Sequence, residues 1–567
     1  MSQLRLLPML IALGLGSAAP SHALDGLAGP YLAGRLASQQ SDYAVAVDYF
    51  SRALVADPTN PAIIEDAIIS QVGLGAIDKA ATLARSLDQM DVKSPIADLV
   101  ILADLAQQED YDTALGELDA GRSAGPLVDD LYRAWAQLGL GQMSAALEAF
   151  DAIGARGGLK AFGLYHKALA LASVGDFEGA DRILSGEEDG PLRATRHGII
   201  AHAQVLSQLE RNDAAIELID KTVNPGVDPL FAEMRSELQA GKVLPFTAVT
   251  GPKDGLAEVF FTVSSALSGE SNDLNTLAYA RMSEFLRPEQ ADTLLLSAAI
   301  LEAQAQHDLA ADAYGRIARD DPAYASAELG RAETLIAADR VDEAIAALKS
   351  LAELEPTRSD VWTALGDTYR RQEQFAEAAA AYDQAIANFP ERQEGQWPVY
   401  YTRGIAHERT KNWPAAEADF RKALELRPDQ PQVLNYLGYS YLEMNIKLDE
   451  ALSMIELAVA ARPDSGAIVD SFGWALYRLG RYQEAVVQME QAVELMPVDP
   501  VVNDHLGDVY WAVGRKLEAE FQWRRALSFE PETEDEANRI RRKLEVGLDV
   551  VLKEEGSEPL AATTNGN

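Results

Sequence analysis

Apolar, small and proline positions recur through the second half of the chain in a pattern that is typical of paired helices. A leucine and a small residue are followed three positions later by an aromatic residue, as in Leu365, Gly366 and Tyr369. An alanine and a large residue then follow at helical spacing, as in Ala378 and Tyr382. The pattern therefore predicts a repeated unit of one helix, a turn and a second helix.

Each recurring position has a physical reason. Small residues let two antiparallel helices approach closely, and large residues fill the space between neighbouring pairs. Proline ends the second helix because it lacks an amide hydrogen and its ring clashes with the preceding turn. The prolines at this position are Pro322, Pro356, Pro390, Pro428, Pro463, Pro497 and Pro531.

The order W-x2-L-G-x2-Y, followed by A-x3-F/Y-x2-A-x4-P, resembles the tetratricopeptide repeat. In this register repeats begin at residues 257, 291, 325, 359, 397, 431, 466 and 500. The resemblance implies an all-α fold, an α-α superhelix (tetratricopeptide solenoid) of about fourteen helical pairs.

The first half of the chain follows the same pattern less regularly, and glycine, proline and a short β-prone segment interrupt it between residues 224 and 256. This joint is either a hinge between two arms or a degenerate repeat packed rigidly in line. The predicted divisions are a signal peptide (1–23), a degenerate N-terminal array (24–223), the irregular joint (224–256), a C-terminal array (257–533), a solvating capping helix (534–553) and a disordered tail (554–567).

The charge balance restricts the class of partner. The 567-residue chain has 88 aspartate and glutamate residues against 49 lysine and arginine residues, a formal net charge of -39. Such a surface repels nucleic-acid phosphates and anionic lipid headgroups, so nucleic acid and membrane surfaces are not expected partners. Basic proteins are favoured instead.

The N-terminal residues resemble an export signal. Arg5 precedes a short apolar run, and Ser21 to Ala23 supply small residues at the cleavage positions, so we predict cleavage after Ala23. A retained anchor or a weakly apolar helix is the alternative. The prediction places the protein in the periplasm, and no later segment is apolar for long enough to span a membrane.

The sequence contains no complete catalytic or metal-binding motif. Phosphate-binding loops, nucleophile elbows, zinc-binding histidine pairs and calcium loops are all missing from it. The chain also has no cysteine, which excludes disulfides, thiolate nucleophiles and lipid attachment through sulfur. We therefore predict no enzyme activity, no cofactor and no metal ion.

The candidate binding residues lie on the first helices of the last three repeats. In VNDHLGDVYW, the spacing i, i+4, i+7 places two aspartates and a tryptophan on the face that lines the concave groove of such repeats. Aromatic rings and carboxylates recur at the same positions of the two preceding repeats, where they favour an extended or basic polypeptide over inert packing. The predicted groove residues are Asn435, Tyr439, Asp470, Trp474, Tyr477, Asp504, Asp508 and Trp511.

A narrower resemblance covers residues 434–527, from LNYLGYSY to FQWRRAL. This stretch is similar to the C-terminal repeats of proteobacterial envelope adaptors that bind a periplasmic C-terminal-processing protease. The resemblance implies an adaptor that binds other proteins or extended peptides and presents substrates to such a protease. Those adaptors are lipoproteins, so this cysteine-free chain is expected to be free in the periplasm or held near the outer membrane by a partner.

Two functions are consistent with the sequence. The first is a non-catalytic scaffold or adaptor that binds partner polypeptides in its concave groove. The second is a structural component of an envelope assembly, for polysaccharide export or outer-membrane biogenesis, in which the convex face and the N-terminal arm matter. An unrecognised enzyme has no support in the residues.

Overall fold

The structure is a computed structural model that describes residues 27–187, 190, 192, 195–223, 228–268, 270, 274–389 and 393–556. The predicted signal peptide (1–23) and tail from residue 557 onward lie outside the described residues. Within these residues the regular elements are all helices, so the predicted all-α tetratricopeptide solenoid fold is confirmed. The chain divides into two compact units, with the division between Ala347 and Leu348.

Over its described residues, unit 1 contains eighteen complete helices, most of them joined in sequence by short turns. They are α1 (Ala28–Gln39), α2 (Tyr43–Ala56), α3 (Pro61–Gly73), α4 (Ile77–Gln89), α5 (Pro95–Gln107), α6 (Tyr111–Asp119), α7 (Pro126–Gly139), α8 (Met143–Gly154), α9 (Lys160–Ser173), α10 (Phe177–Leu184), α11 (Arg196–Gln208), α12 (Asn212–Thr222), α13 (Pro229–Gln239), α14 (Pro252–Ser268), α15 (Leu274–Leu286), α16 (Ala291–Ala303), α17 (His307–Gly315) and α18 (Tyr324–Ala337).

Helix α19 (Val341–Leu354) contains the division, and unit 2 continues with twelve further α-helices over its described residues. They are α20 (Ser359–Arg371), α21 (Phe375–Ala387), α22 (Trp397–Arg409), α23 (Trp413–Leu426), α24 (Pro431–Glu443), α25 (Leu448–Ala461), α26 (Gly466–Arg478), α27 (Tyr482–Leu495), α28 (Pro500–Ala512), α29 (Lys516–Ser528), α30 (Glu534–Val546) and α31 (Leu548–Glu554).

The helix starts follow the repeat register that the sequence predicts. Helices α16, α20, α22, α24, α26 and α28 begin at the predicted repeat starts, and α18 begins one residue early. The predicted start at residue 257 is wrong, because α14 already begins at Pro252. Several starts combine a capping side chain with proline in the first turn, as at Asp499 and Pro500, where the Asp499 carboxylate accepts the Val502 amide. Local sequence therefore determines where these helices begin.

In unit 2, small residues of the first helix of a pair lie against large residues of the second helix, as the sequence predicts. A β-carbon at Gly366 would lie 2.6 Å from the ring of Tyr382, and one at Gly507 would lie 2.4 Å from Trp523. Both large rings are fully buried. The glycine on the first helix thus provides the space that the aromatic residue of the second helix fills.

The segment predicted as an irregular joint contains more structure than expected. It includes helix α13, a turn at 240–241, a stretch without regular secondary structure at 242–251 and the first turn of α14. Helix α14 then packs against α7, where a β-carbon at Gly255 would lie 2.3 Å from the buried Trp135 ring. Helices on the two sides of the joint therefore belong to one compact unit, and a hinge at this position stays a prediction.

A buried ionic network joins α11 to α14 and α16 inside unit 1. His197 contacts Glu258 through Nδ1 at 3.0 Å and Asp292 through Nε2 at 2.9 Å. Burial alone lowers the pKa of His197, but the two carboxylates outweigh it and raise the pKa to about 10. The imidazole is therefore protonated at neutral pH and links three helices.

Candidate functional site

The predicted groove residues occupy equivalent positions on three consecutive first helices of unit 2. Asn435 and Tyr439 lie on α24, one repeat before Asp470 and Trp474 on α26. The same positions on α28 hold Asp504 and Asp508, while Tyr477 corresponds to Trp511. The structure brings these side chains to one series of neighbouring helices, but it divides them into an open part and a covered part.

The open part is a cavity of about 480 Å³ beside α24. Three of the predicted residues line it, namely Asn435, Tyr439 and Asp470. The charged residues of the lining are Glu408, Arg409, Glu443, Asp470 and Asp499. Four carboxylates therefore face one guanidinium, and the cavity favours a cationic group over an anionic one.

Asn435 leaves a hydrogen-bond acceptor unused in this cavity. Its side-chain oxygen Oδ1 is buried and accepts no hydrogen bond among the described residues. A buried amide oxygen without a donor costs about 1–3 kcal/mol, so it favours a ligand that supplies one. A main-chain amide of a bound polypeptide is such a donor.

Tyr439 and Glu443 form the next turn of the same helix wall. Burial and the nearby Glu443 and Asp470 carboxylates raise the pKa of the Tyr439 phenol, so this group stays neutral and remains a hydrogen-bond donor. Glu443 accepts a hydrogen bond from Trp474 Nε1 over 3.1 Å. This bond fixes the tryptophan at the edge of the groove.

Trp474 is the centre of a stack of three rings. Its indole lies parallel to the Tyr477 ring at 4.7 Å and to the His505 ring at 4.0 Å between centroids. Tyr477 is buried in the core of unit 2, so it anchors the three-ring stack to that core. The arrangement holds the indole rigidly, which lowers the entropy cost of contacting a ligand with it.

His505 connects the stack to the groove carboxylates. Its Nδ1 lies 3.1 Å from both carboxylate oxygens of Asp470. Burial alone lowers the pKa of His505, but Asp470, with Asp504 and Asp508, outweighs it and raises the pKa above the ordinary value. His505 is thus a buried partner of Asp470.

The covered part of the groove differs from the sequence prediction. Asp504 and Asp508 were expected to line an open wall, yet Asp508 is only 1% exposed and helix α30 lies over both. The ammonium of Lys543, which is itself fully buried, lies 2.8 Å from Asp504 and 2.7 Å from Asp508. Trp523 Nε1 also donates to Asp508. Asp508 is therefore closed off from solvent, whereas the Asp504 side chain keeps 15% of its exposure.

Trp511 is also covered, in this case by the turn between α30 and α31. Its Nε1 donates to Asp549 over 2.9 Å, and Lys516 lies 4.3 Å from the ring centroid. The predicted single capping helix is split at Gly547, whose φ of +84° is a conformation that side chains rarely adopt. The split lets α31 return over the indole.

We expect Gly547→Ala to destabilise α31 by about 1–3 kcal/mol, because the residue has positive φ and a β-carbon would lie 2.5 Å from Trp511. Gly514 is a matched control, since its φ is +83° and a β-carbon there meets nothing within 4 Å. Amide hydrogen exchange of α31 measures the effect. Equal losses in the two variants would mean that the Trp511 contact contributes nothing.

Sequence reasoning missed several residues that build the site. Glu408 and Asp499 lie outside the aligned positions, on the preceding first helix and at a helix N-cap. Glu443 lies one turn beyond Tyr439, so the helical spacing would have found it. Lys543 follows Arg539 by four residues on the capping helix, and this basic pair was the signal for a contact with Asp504 and Asp508.

The described residues hold no group of three or more histidine, aspartate or glutamate side chains arranged to bind a metal ion. Among the same residues, none of the helices combines the length and the apolar character that a membrane span requires. What the site does offer is hydrogen bonding, ring contact and negative charge. These are the means of polypeptide recognition.

Family models of the tetratricopeptide repeat match three parts of the chain. One matches residues 301–368, a second matches 359–392 and 397–430, and a third matches 468–496. A tetratricopeptide repeat-containing protein of Pseudomonas aeruginosa is 27% identical over 187 residues, which are 33% of this chain and 31% of that protein. The general transcriptional corepressor ssn6 of Schizosaccharomyces pombe is 27% identical over 126 residues, covering 22% of this chain and 11% of that protein. The chain therefore matches less than a third of the length of either relative.

Solved structures of similar fold include the Cut9-Hcn1 hetero-tetramer of the APC/C, with a TM-score of 0.37 and 16% identity over 91% of this chain and 96% of that chain. A tetratricopeptide repeat protein from Parabacteroides merdae has a TM-score of 0.37 and 15% identity, covering 45% of this chain and 97% of that chain. The family models, and not these structures, identify tetratricopeptide repeats in this chain, over the residues that they match.

Proposed function

We propose that the protein is a non-catalytic scaffold or adaptor that binds partner polypeptides in the open groove of unit 2. The observation that carries the proposal is the unused Oδ1 acceptor of Asn435 on the wall of an acidic cavity. Tetratricopeptide repeats generally present extended binding surfaces on their concave side. The groove of this chain adds a fixed indole and a phenol to that surface.

The lining defines the chemistry of the partner. Asn435 requires a main-chain or side-chain N–H donor, and the four carboxylates favour lysine or arginine. Lys543 is an example within this chain, because its ammonium binds Asp504 and Asp508, which occupy on α28 the positions of Asn435 and Tyr439. The preferred partner segment is therefore extended and basic.

The location and the pathway are part of the same proposal. The N-terminal signal supports export to the periplasm, and the resemblance of residues 434–527 to envelope adaptors supports the presentation of substrates to a processing protease. Crosslinking in intact cells followed by mass spectrometry tests this part. Recovery of groove partners without any processing protease would reject the protease role and leave the scaffold role standing.

The groove itself is tested by affinity capture from native cell envelopes with the double variant Asn435→Ala/Tyr439→Ala. We expect the main partner to bind about tenfold more weakly, because the variant loses one hydrogen bond and one aromatic contact. A matched control is Leu457→Ala/Val487→Ala, which shortens two exposed apolar side chains on second helices.

The control should retain every partner at the wild-type level. If the groove variant also retains all of its partners, the groove is not the binding site. The function would then belong to the convex face or to unit 1, as in a structural component of an envelope assembly.

A further inference from the structure

The predicted joint contains a non-helical segment, Lys242–Gly251, that lies against helix α11 of unit 1. The Gln204 side-chain amide binds this segment at both ends, contacting its main chain through Oε1 and a threonine hydroxyl through Nε2. Its Oε1 accepts the main-chain amides of Thr247 at 3.0 Å and Ala248 at 3.2 Å, and its Nε2 donates to Thr247 Oγ1 at 2.9 Å. Helix α11 thus binds a non-helical segment through polar side chains.

One turn further along α11, two more side chains bind the same segment. Ser207 Oγ accepts the main-chain amide of Leu244 at 2.9 Å, and Gln208 Nε2 donates to the Leu244 carbonyl at 2.6 Å. These contacts are made to the main chain, so they do not depend on the sequence of the bound segment. Unit 1 therefore already binds one non-helical segment of its own chain, largely through main-chain hydrogen bonds.

A cavity of about 820 Å³ lies beside this segment. Its walls come from α9, α11, α13, α14 and α16, and from the segment itself at Leu244, Pro245, Thr247 and Ala248. Ile200, Leu230 and Leu295 add apolar surface to the lining. The volume falls in the range of ordinary ligand sites, roughly 300–1,000 Å³.

The lining is strongly acidic. It carries eight carboxylates, against which stand only Arg196, Arg287 and the protonated His197. The inner carboxylates are occupied, since Glu258 and Asp292 hold His197, and Asp228 and Asp292 hold Arg196. These pairs make the floor of the cavity rigid.

Three carboxylates of the lining are unoccupied. Glu233, Glu289 and Asp320 are exposed, and none of them has a hydrogen-bond or ion-pair partner among the residues that the structure describes. They come from α13, the turn after α15 and the stretch before α18. Carboxylates on separate elements around one cavity are placed to pair with several cations of one ligand.

We propose that this cavity is a second polypeptide-binding site, which takes an extended segment with lysine or arginine side chains and lays it alongside Lys242–Gly251. The basic side chains pair with Glu233, Glu289 and Asp320, and the apolar walls contact the intervening residues. The site lies entirely within unit 1. It is independent of the unit 2 groove and stands if that proposal fails.

The test uses the full chain and a dye-labelled decapeptide of alternating lysine and threonine, blocked at both ends. Fluorescence anisotropy at physiological ionic strength measures its binding, with the corresponding glutamate-threonine peptide as a charge-reversed probe. We expect only the lysine peptide to bind. The triple variant Glu233→Gln/Glu289→Gln/Asp320→Asn should bind it about tenfold more weakly, since it loses three ion pairs.

A matched control removes three exposed carboxylates of unit 1 that lie outside the cavity, in the variant Glu148→Gln/Glu178→Gln/Asp213→Asn. The control should bind the peptide as the wild type does. An equal loss in the two triple variants would assign the binding to the overall negative charge and overturn the site.

The groove variant Asn435→Ala/Tyr439→Ala separates this site from the proposed function. Peptide binding that survives the groove variant but not the cavity variant supports the second site, and the reverse result assigns the peptide to unit 2 and overturns it. Spermine provides the last comparison. If spermine binds with the same dependence on the three carboxylates and the peptide does not, the ligand is a small polycation and the polypeptide proposal is wrong.

Discussion

Replacing Lys543 with methionine is expected to destabilise the C-terminal end of unit 2 by about 3–5 kcal/mol, the usual cost of leaving a buried charge without its partner. Methionine preserves most of the aliphatic part of the side chain, so the lost stability measures the contribution of the ammonium group. Without it Asp508, which is 1% exposed, retains only the Trp523 donor and the more distant Arg539. Burial already raises the pKa of Asp508, so we expect this carboxyl to take up a proton in the variant.

Amide hydrogen exchange of α28 to α31 and urea unfolding measure this loss. Lys553→Met is the matched control, because Lys553 is exposed near the end of α31, and its effect should stay within about 0.5 kcal/mol. Faster exchange confined to α30 and α31 would show that the cap detaches while the repeats remain folded. If the two variants are equally stable, the Lys543 ion pairs do not stabilise the packing of α30 and α31.

The second large effect is expected in unit 1. Replacing Glu258 with glutamine should cost about 3 kcal/mol near pH 6, because it takes one carboxylate from the buried, protonated His197. Glutamine keeps the shape of the side chain and still accepts the hydrogen bond that Tyr165 donates to Glu258. The loss therefore reports the charge of Glu258.

The effect has a defined pH dependence. The folded pKa of His197 is raised to about 10, against an ordinary value of about 6.5, so its stabilisation is complete below pH 6.5 and is lost as the pH rises towards 10. Burial alone would raise the pKa of Glu258, but His197 outweighs it and lowers that pKa. The contribution of Glu258 is therefore present above its ordinary value of about 4.3 and is lost on acidification.

Unfolding of wild type and Glu258→Gln measured from pH 5 to pH 10 tests this dependence. We expect the difference in unfolding free energy to be largest between about pH 5 and pH 6.5 and to decrease towards pH 10. Glu148→Gln, at an exposed site, should show no such trend. A difference that stays constant between pH 6.5 and pH 10 would mean that the folded pKa of His197 is not raised.

Much of the repeat architecture could be predicted from the sequence because its causes are local. The register of Gly366 with Tyr382 and of Gly507 with Trp523 encodes the packing of each helical pair, and the structure places those residues in contact. Proline and capping residues set the helix starts, as at Asp499 and Pro500. Such signals act over a few residues and need no knowledge of the tertiary fold.

The groove could be predicted only in part. Helical spacing identifies the face that carries Asn435, Tyr439 and Asp470, and that face lines a cavity. The same spacing on α28 gave no warning that Asp504 and Asp508 are covered, because the covering residue, Lys543, lies more than thirty positions later. Whether any of these residues binds a partner stays a prediction.

The sequence by itself determined the all-α class, the repeat register, the acidic character and the groove face of each first helix. The tertiary structure decided which parts of that face are open. It also decided that α14 packs on α7, that Lys242–Gly251 lies along α11, and that His197 joins three helices. The physical reason is the distance along the sequence over which each effect acts. Hydrophobic periodicity and capping depend on neighbouring residues, whereas burial of a charge or of a non-helical segment depends on residues distant in the chain.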